Sequence, residues 1–213
     1  PSAESGSPRV LVSRKENLWR LEGERTEATL DLDTLSLSAT TASGTWSTRP
    51  SFDGDIKVGD ASGRETGTFR LASAVRRTVV PYRTGFQTGI KVSLSGFRAP
   101  AGREIDARID LFVGLERKDG DLVCRILAED GEARVRELLW PASFEPGSFD
   151  SAVVPFMQGM LLPKDWPRAV RLYDSMSYGR GLYMPWWGFS RGGASVLVLL
   201  ETPDDAGCRF EHP

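Results

Sequence analysis

The sequence holds a single histidine, His212, next to its last residue. A chain so poor in imidazole has no internal means of building a Ser-His-Asp triad, a Cys-His dyad or a histidine-rich metal site. Its two cysteines, Cys124 and Cys208, are far apart and form neither a disulfide framework nor a metal-ligand spacing. Cys124 alternates with Leu122 and Ile126 and reads as a small core residue. There is no CxxC and no GxGxxG or P-loop after a strand, and calcium has no DxDxDG loop. No cofactor and no metal are expected. Acidic residues number 29 and basic residues 27, so no field of one sign steers nucleic acid or an anionic membrane surface. No apolar run approaches the roughly 18 to 20 residues of a spanning helix. The longest, from Ala194 to Leu200, has the length of a strand.

The opening PSAESGSP has neither a basic n-region nor an apolar h-region, so no signal peptide is read there. A leader already removed would fit a secreted or periplasmic location, which the sequence favours without fixing. Residues 1–16 are expected to be a flexible segment, its first part small and polar, and 17–213 a single domain. The chain ends after an apparent strand with no cap or tail, which leads to the expectation of a fragment of a larger protein.

Period-two alternation recurs along the chain, as half-buried strands require. Ala28, Leu30 and Leu32, then Leu35, Leu37 and Ala39 across a tight turn near Asp33 and Thr34, predict a hairpin. Ile90, Val92 and Leu94 alternate with Lys91, Ser93 and Ser95. Ile105, Ala107, Ile109, Leu111 and Val113 share one strand face, and Leu122, Cys124 and Ile126 follow a turn at Lys118, Asp119 and Gly120. Helical periodicity is confined to a turn or two within 166–173, limited by Pro163 and Pro167. The class is all-β, and about a dozen strands suit two large antiparallel sheets packed face to face. The run Val196–Leu200, apolar on both alternating faces, predicts a central strand covered on both sides.

Aromatics concentrate late in the chain. Two of the four tyrosines, Tyr178 and Tyr183, and two of the six tryptophans, Trp186 and Trp187, stand between glycines and a proline just before that apolar run. Such a cluster is either a core plug or a surface on which a ring-shaped ligand stacks. Sugar rings stack their C–H faces on Trp and Tyr while polar side chains hold the hydroxyls. Trp186, Trp187 and Tyr183 with Gln158 and Arg180 supply that mixture. In the alternative, Trp186 and Trp187 point to opposite sides of a strand and each plugs an interface. Trp19, Trp46 and Trp140 lie in or beside alternating strands and read as core. The glycine-rich GRGLY (179–183) and SRGGAS (190–195) lack the strand-to-helix context of a phosphate cradle. Hydrolysis of a glycosidic bond needs two carboxylates about 5 to 9.5 Å apart. Asp204 and Asp205 are neighbours that would point opposite ways in an extended segment, and they read as turn caps. Asp174 has no evident carboxylate partner.

The order of ATLDLDTLSLSATTASGTW (28–46), GFQTGIKVSLSGF (85–97), DGDLVCRI (119–126), LLWPASF (138–144), VVPFMQGMLLP (153–163), YMPWWGF (183–189) and VLVLLETPDDAG (196–207) resembles the N-terminal β-sandwich of multidomain glycoside hydrolases. In those proteins a galactose-mutarotase-like supersandwich precedes a catalytic (β/α)8 barrel. The resemblance covers the chain from about residue 17 onward. It implies a large two-sheet antiparallel sandwich that is non-catalytic and buttresses a barrel domain. It also implies carbohydrate contact through Trp187, Trp186 and Tyr183 as stacking groups and Gln158, Arg180 and Asp205 as hydroxyl partners. Mutarotase chemistry, which relies on a histidine and a glutamate, is not expected without an internal histidine. An autonomous carbohydrate-binding module is the alternative.

Overall fold

Turn residues bracket each alternating run, and the runs fold as strands. The computed structural model describes residues 9–98, 104–116, 120–131, 133–144, 149–156, 159–175, 184–202 and 206–212, with no α-helix among them. The chain divides into two compact units, Pro1–Glu145 and Pro146–Pro213.

The first unit opens with β1 (Leu11–Lys15), β2 (Leu18–Glu22), β3 (Glu27–Asp31), β4 (Leu37–Thr41) and β5 (Gly44–Ser47), an antiparallel meander in sequence order. The hairpin expected over 28–39 is β3–β4, with Ala28 opposite Ala39 and Leu30 opposite Leu37. Its connection is longer than the tight turn expected. The Asp31 carboxylate accepts the Asp33 N–H at 2.8 Å and the Thr34 hydroxyl at 2.9 Å. Leu35 takes a φ of 55°, costly for a side chain with a Cβ. Its N–H donates to Asp31 O at 2.7 Å and its carbonyl accepts the Trp140 indole N–H at 2.9 Å, which hold it there.

β6 (Ile56–Gly59) and β7 (Glu65–Phe69) form a hairpin. Next come β8 (Ala74–Arg83), β9 (Gln87–Arg98), β10 (Glu104–Glu116) and β11 (Asp121–Asp130), which make a four-stranded sheet in the order β11-β10-β9-β8. β12 (Arg134–Leu138) returns to pair with β6. The alternation read from the sequence matches the burial: Ile90, Val92, Leu94, Ile109, Leu111 and Val113 have no exposed surface. They join Leu21, Leu30, Leu37, Ile56, Val58 and Trp140 in one cluster, so the three sheets share a core. Each such aliphatic side chain contributes about 1.5–3 kcal/mol by leaving water. Cys124 packs against this cluster, and burial pushes its thiol up to about 12, which keeps it protonated and inert.

The second unit contains β13 (Ser151–Val154), β14 (Met160–Pro163), β15 (Val170–Ser175), β16 (Trp186–Arg191), β17 (Ala194–Leu199) and β18 (Gly207–His212). Four of these form a sheet in the order β14-β13-β16-β17, while β15 pairs with β18. Two expectations are corrected here. The segment 166–173 is not helical: a turn at Pro163–Trp166, closed by Trp166 N to Pro163 O at 3.1 Å, leads into strand β15, which finds its hydrogen bonds across β18. β17 is not a central strand. Among the described residues it pairs with β16 alone, and its Leu197 and Leu199 are exposed. The all-β reading holds, with the strands of the described residues distributed over five antiparallel sheets.

A buried polar node ties the loops of the first unit together. Asp55 is 1% exposed. Its carboxylate accepts the Ser51 hydroxyl at 2.5 Å, the Phe52 N–H at 3.1 Å and the Leu71 N–H at 2.5 Å. Its carbonyl accepts the Leu139 N–H at 2.8 Å, and the Ser51 hydroxyl oxygen accepts the Ala72 N–H at 2.9 Å. Close by in sequence, the Arg77 guanidinium donates to the carbonyls of Leu32, Ala72 and Ala74. Burial raises the Asp55 carboxyl above its ordinary value, and the hydrogen bonds from Ser51, Leu71 and Phe52 offset only part of that. Asp55→Ala strands two backbone donors inside the protein and is expected to cost about 3 kcal/mol in denaturant unfolding. Because the folded-state value is raised, the carboxyl's contribution is fully present below the unfolded value of 3.8 and is lost as pH rises through the folded one. The stability margin of wild type over Asp55→Asn is therefore expected to be larger in acid than at neutral pH.

Candidate functional site

The aromatic segment enters β16 at Trp186. Consecutive residues of a strand face opposite ways, and Trp186 and Trp187 do so. Trp187 lies on the inner face. It meets Phe210 edge-on at 5.5 Å between ring centroids, and it packs with Phe189 and Cys208 against the buried Ala152, Val154 and Leu162. Trp186 lies on the outer face opposite Leu199, with its indole N–H directed at Met184 Sδ at 3.4 Å. The two rings therefore do not form one stacking platform. Of the other residues singled out by sequence, Gln158, Arg180, Tyr183 and Asp205 lie outside the described residues, as do Asp204 and the GRGLY stretch. The other glycine-rich stretch is a hairpin turn. Gly192 and Gly193 link β16 to β17 with φ of 55° and 84°, the left-handed pair a two-residue hairpin needs, and Asp150 Oδ2 takes the Gly192 N–H at 2.7 Å.

The outer face of this sheet is apolar across its whole width. The register sets Leu161 opposite Val153, Val153 opposite Gly188 and Gly188 opposite Leu197, a row spanning all four strands, with Trp186 and Leu199 paired beside it. At the other end Ser151, Ser190 and Ser195 continue the same face as a polar margin, the Ser151 and Ser190 hydroxyls bonded at 2.7 Å. No alternation marks this face in the sequence, because β17 is apolar at successive positions.

A second candidate surface escaped the sequence reading, namely the outer face of β8–β11. A groove of about 390 Å³ is lined there by Arg76, Thr78, Ser93, Ser95 and Arg108. Beside it Asp110, 4% exposed, pairs with Lys91 Nζ at 2.7 Å and Arg108 Nε at 3.2 Å. Burial raises the Asp110 carboxyl, but hydrogen bonds from Lys91, Ser93 and Arg108 outweigh it and hold the group below its ordinary value. Arg76 is engaged by Glu104 at 3.3 Å and by the Ser95 hydroxyl at 3.2 Å, and Glu129 approaches Arg108 at 3.8 Å. The signal lay in the polar positions of β9 and β10 that alternate with the core. The cations lining the groove are each paired with a carboxylate, Arg76 with Glu104 and Arg108 with Asp110 and Glu129, and an ionised Asp110 has no proton to give a leaving group. Asp55, enclosed by its own donors, is a structural carboxylate. Among the described residues no group of three His, Cys, Asp or Glu side chains is placed to hold a metal ion, and no helix is long and apolar enough to cross a membrane.

No protein-family model and no curated protein matches the sequence. Solved structures do. The chain is similar to the α-N-acetylgalactosaminidase NagBb of Bifidobacterium bifidum in its complex with GalNAc, with 27% identity and a TM-score of 0.71 over 95% of this chain. The Gal-NHAc-DNJ complex of that enzyme gives 28% identity and a TM-score of 0.71 over 91% of this chain, and its ligand-free form 25% and 0.69 over 95%. The chain spans about 31% of the length of those enzyme chains. It is thus similar, over nearly all of its own length, to about a third of a glycoside hydrolase.

The opposite placement of the two tryptophans has a measurable consequence. Trp187→Ala is expected to lower unfolding stability by about 3 kcal/mol, since it removes an aromatic from the second cluster. Trp186→Ala is expected to cost about half of that or less, since this half-buried ring faces away from that cluster. Equal losses in denaturant titrations of the two variants would contradict the assignment of faces.

Proposed function

We propose that this chain is a non-catalytic β domain of a glycoside hydrolase that buttresses a catalytic (β/α)8 barrel, and that its sheets belong to a two-layer supersandwich of the galactose-mutarotase-like type. The observation that carries the reading is the match of nearly the whole chain to about a third of an α-N-acetylgalactosaminidase. Three features support it. The carboxylates best placed to be noticed, Asp55 and Asp110, are committed to structural hydrogen bonds. The single histidine stands next to the C-terminal residue. One sheet of the second unit exposes Leu161, Leu197 and Leu199 on one face. The parent activity is then cleavage of a glycoside, with α-linked N-acetylgalactosamine the first substrate to try. Carbohydrate contact falls to the 156–160 and 178–189 segments. Trp186, on the outer face, and Tyr183 do the stacking, Gln158, Arg180 and Asp205 hold hydroxyls, and Trp187 supports them from the core side.

The outward Trp186 also favours the alternative of an autonomous carbohydrate-binding module, and enzyme assay with ligand titration separates the two. The chain alone is expected to release no p-nitrophenol from p-nitrophenyl α-N-acetylgalactosaminide, and a polypeptide that carries the barrel as well is expected to do so. Turnover by the chain alone would overturn the non-catalytic assignment. Saturable quenching of tryptophan fluorescence by a mono- or oligosaccharide, abolished by Trp186→Ala in a chain that adds nothing to any hydrolase activity, would favour the binding module.

A further inference from the structure

We propose that the outer face of β14-β13-β16-β17 is the surface on which a catalytic domain of the same polypeptide sits, with Leu161, Val153, Leu197 and Leu199 as the buried centre of the contact and Met184 and Trp186 at its rim, where the carbohydrate-contacting segment begins. The proposal rests on the reading of the chain as part of a glycosidase and adds to it the place of contact.

The sheet has two apolar faces and one internal core. On the inner face Ala152, Val154 and Leu162 are buried with Trp187, Phe189 and Phe210 around them. On the outer face Leu161 is 60% exposed, Leu197 66%, Leu199 58% and Met184 50%. Scattered exposed leucines need no explanation, but Leu161 and Leu197 stand in one cross-strand row through Val153 and Gly188, Leu199 lies beside it opposite Trp186, and Met184 joins through the Trp186 indole. The patch has the anatomy of an interface: an uncharged aliphatic centre flanked by a tryptophan and a methionine, grading into the serines at positions 151, 190 and 195.

Among the described residues β17 is the edge of the same sheet, and it points the same way. β17 reads ASVLVL, with no charge and no proline, and the structure records no bulge in its pairing with β16. Exposed edge strands are normally protected by such devices, because an uncharged free edge invites pairing with other chains. A strand without them is tolerated where another folded surface covers it. The polypeptides that this chain resembles are about three times its length, so a covering domain is available in the same molecule.

The test compares this chain alone with a polypeptide that also carries the catalytic domain. Met184 oxidation by hydrogen peroxide is followed by peptide mass spectrometry, as is maleimide labelling of Leu197→Cys, with Phe86→Cys in the first unit, itself 70% exposed in the native side chain, as control. The expected result is at least tenfold slower oxidation of Met184 and labelling of Cys-substituted 197 in the longer polypeptide, with the control unchanged. Met184 needs no substitution, so the readout survives if the cysteine variant folds poorly. Equal reactivity in both proteins, where the longer one cleaves glycosides, overturns the docking surface and leaves the glycosidase reading intact. Protection that appears only with rising concentration, and equally in both proteins, assigns the face to a second copy of the chain and overturns the proposal. Protection in a longer polypeptide that cleaves no glycoside keeps the docking surface and overturns the glycosidase reading alone.

Discussion

A β-sheet in a small unit can bury one face against its own core and has nothing left with which to bury the other. That constraint governs the second unit. Its four-stranded sheet closes one face over Ala152, Val154 and Leu162, with Trp187 and Phe210 meeting edge to edge. The opposite face, apolar at its centre with serines at one margin, carries Leu161, Val153, Leu197 and Leu199. Leaving such side chains in water forgoes about 1.5–3 kcal/mol each, a sum large against the marginal stability of any domain. A chain whose function ended within its own surface would be expected to carry polar residues there.

The first unit shows what that alternative looks like. Its four-stranded sheet also has two faces, and although Val80 and Leu127 are exposed on the outer one, Arg76, Thr78, Ser93, Ser95, Arg108 and Asp110 lie there too, cross-linked by ion pairs and hydroxyls. The inner face joins those of the other two sheets in one core. The loops between sheets are fastened by Asp55, Ser51, Arg77 and the Trp140 indole, so the polar groups buried by the close approach of three sheets find partners in one another. The outer sheet face of the second unit lacks such ion pairs at its centre, where Leu161, Leu197 and Leu199 are exposed.

How far this was legible in the sequence depended on whether information lay within one strand or between strands. Alternation alone located β3, β4, β9 and β10 and identified their buried residues, because period two is a property of the strand itself. The opposite facing of Trp186 and Trp187 followed from the same rule. The Asp55 node was not legible, since its donors come from residues 51, 52 and 71 and meet only in the fold. β17 was misread for an instructive reason: a run apolar on both faces has the same pattern whether it is covered on both sides or lies at an edge with one face waiting. The segment 166–173 carries a weak helical period that loses to pairing with β18, a strand tens of residues away. The division of the strands into five sheets likewise depends on long-range pairings such as β12 with β6.

The chain thus combines a sheet face cross-linked by ion pairs in the first unit with an apolar sheet face in the second, proposed here as a contact surface, in a chain similar to about a third of a glycosidase. The most direct test of the central claim is the sedimentation behaviour of the isolated chain over a range of concentrations, alongside a variant with Leu197→Lys and Leu199→Lys. Reversible self-association of the wild type, abolished in a folded lysine variant, is the result expected of a face deprived of its partner. A wild type that stays strictly monomeric at every concentration, with the lysine variant indistinguishable from it, would contradict the claim that this face is built for contact.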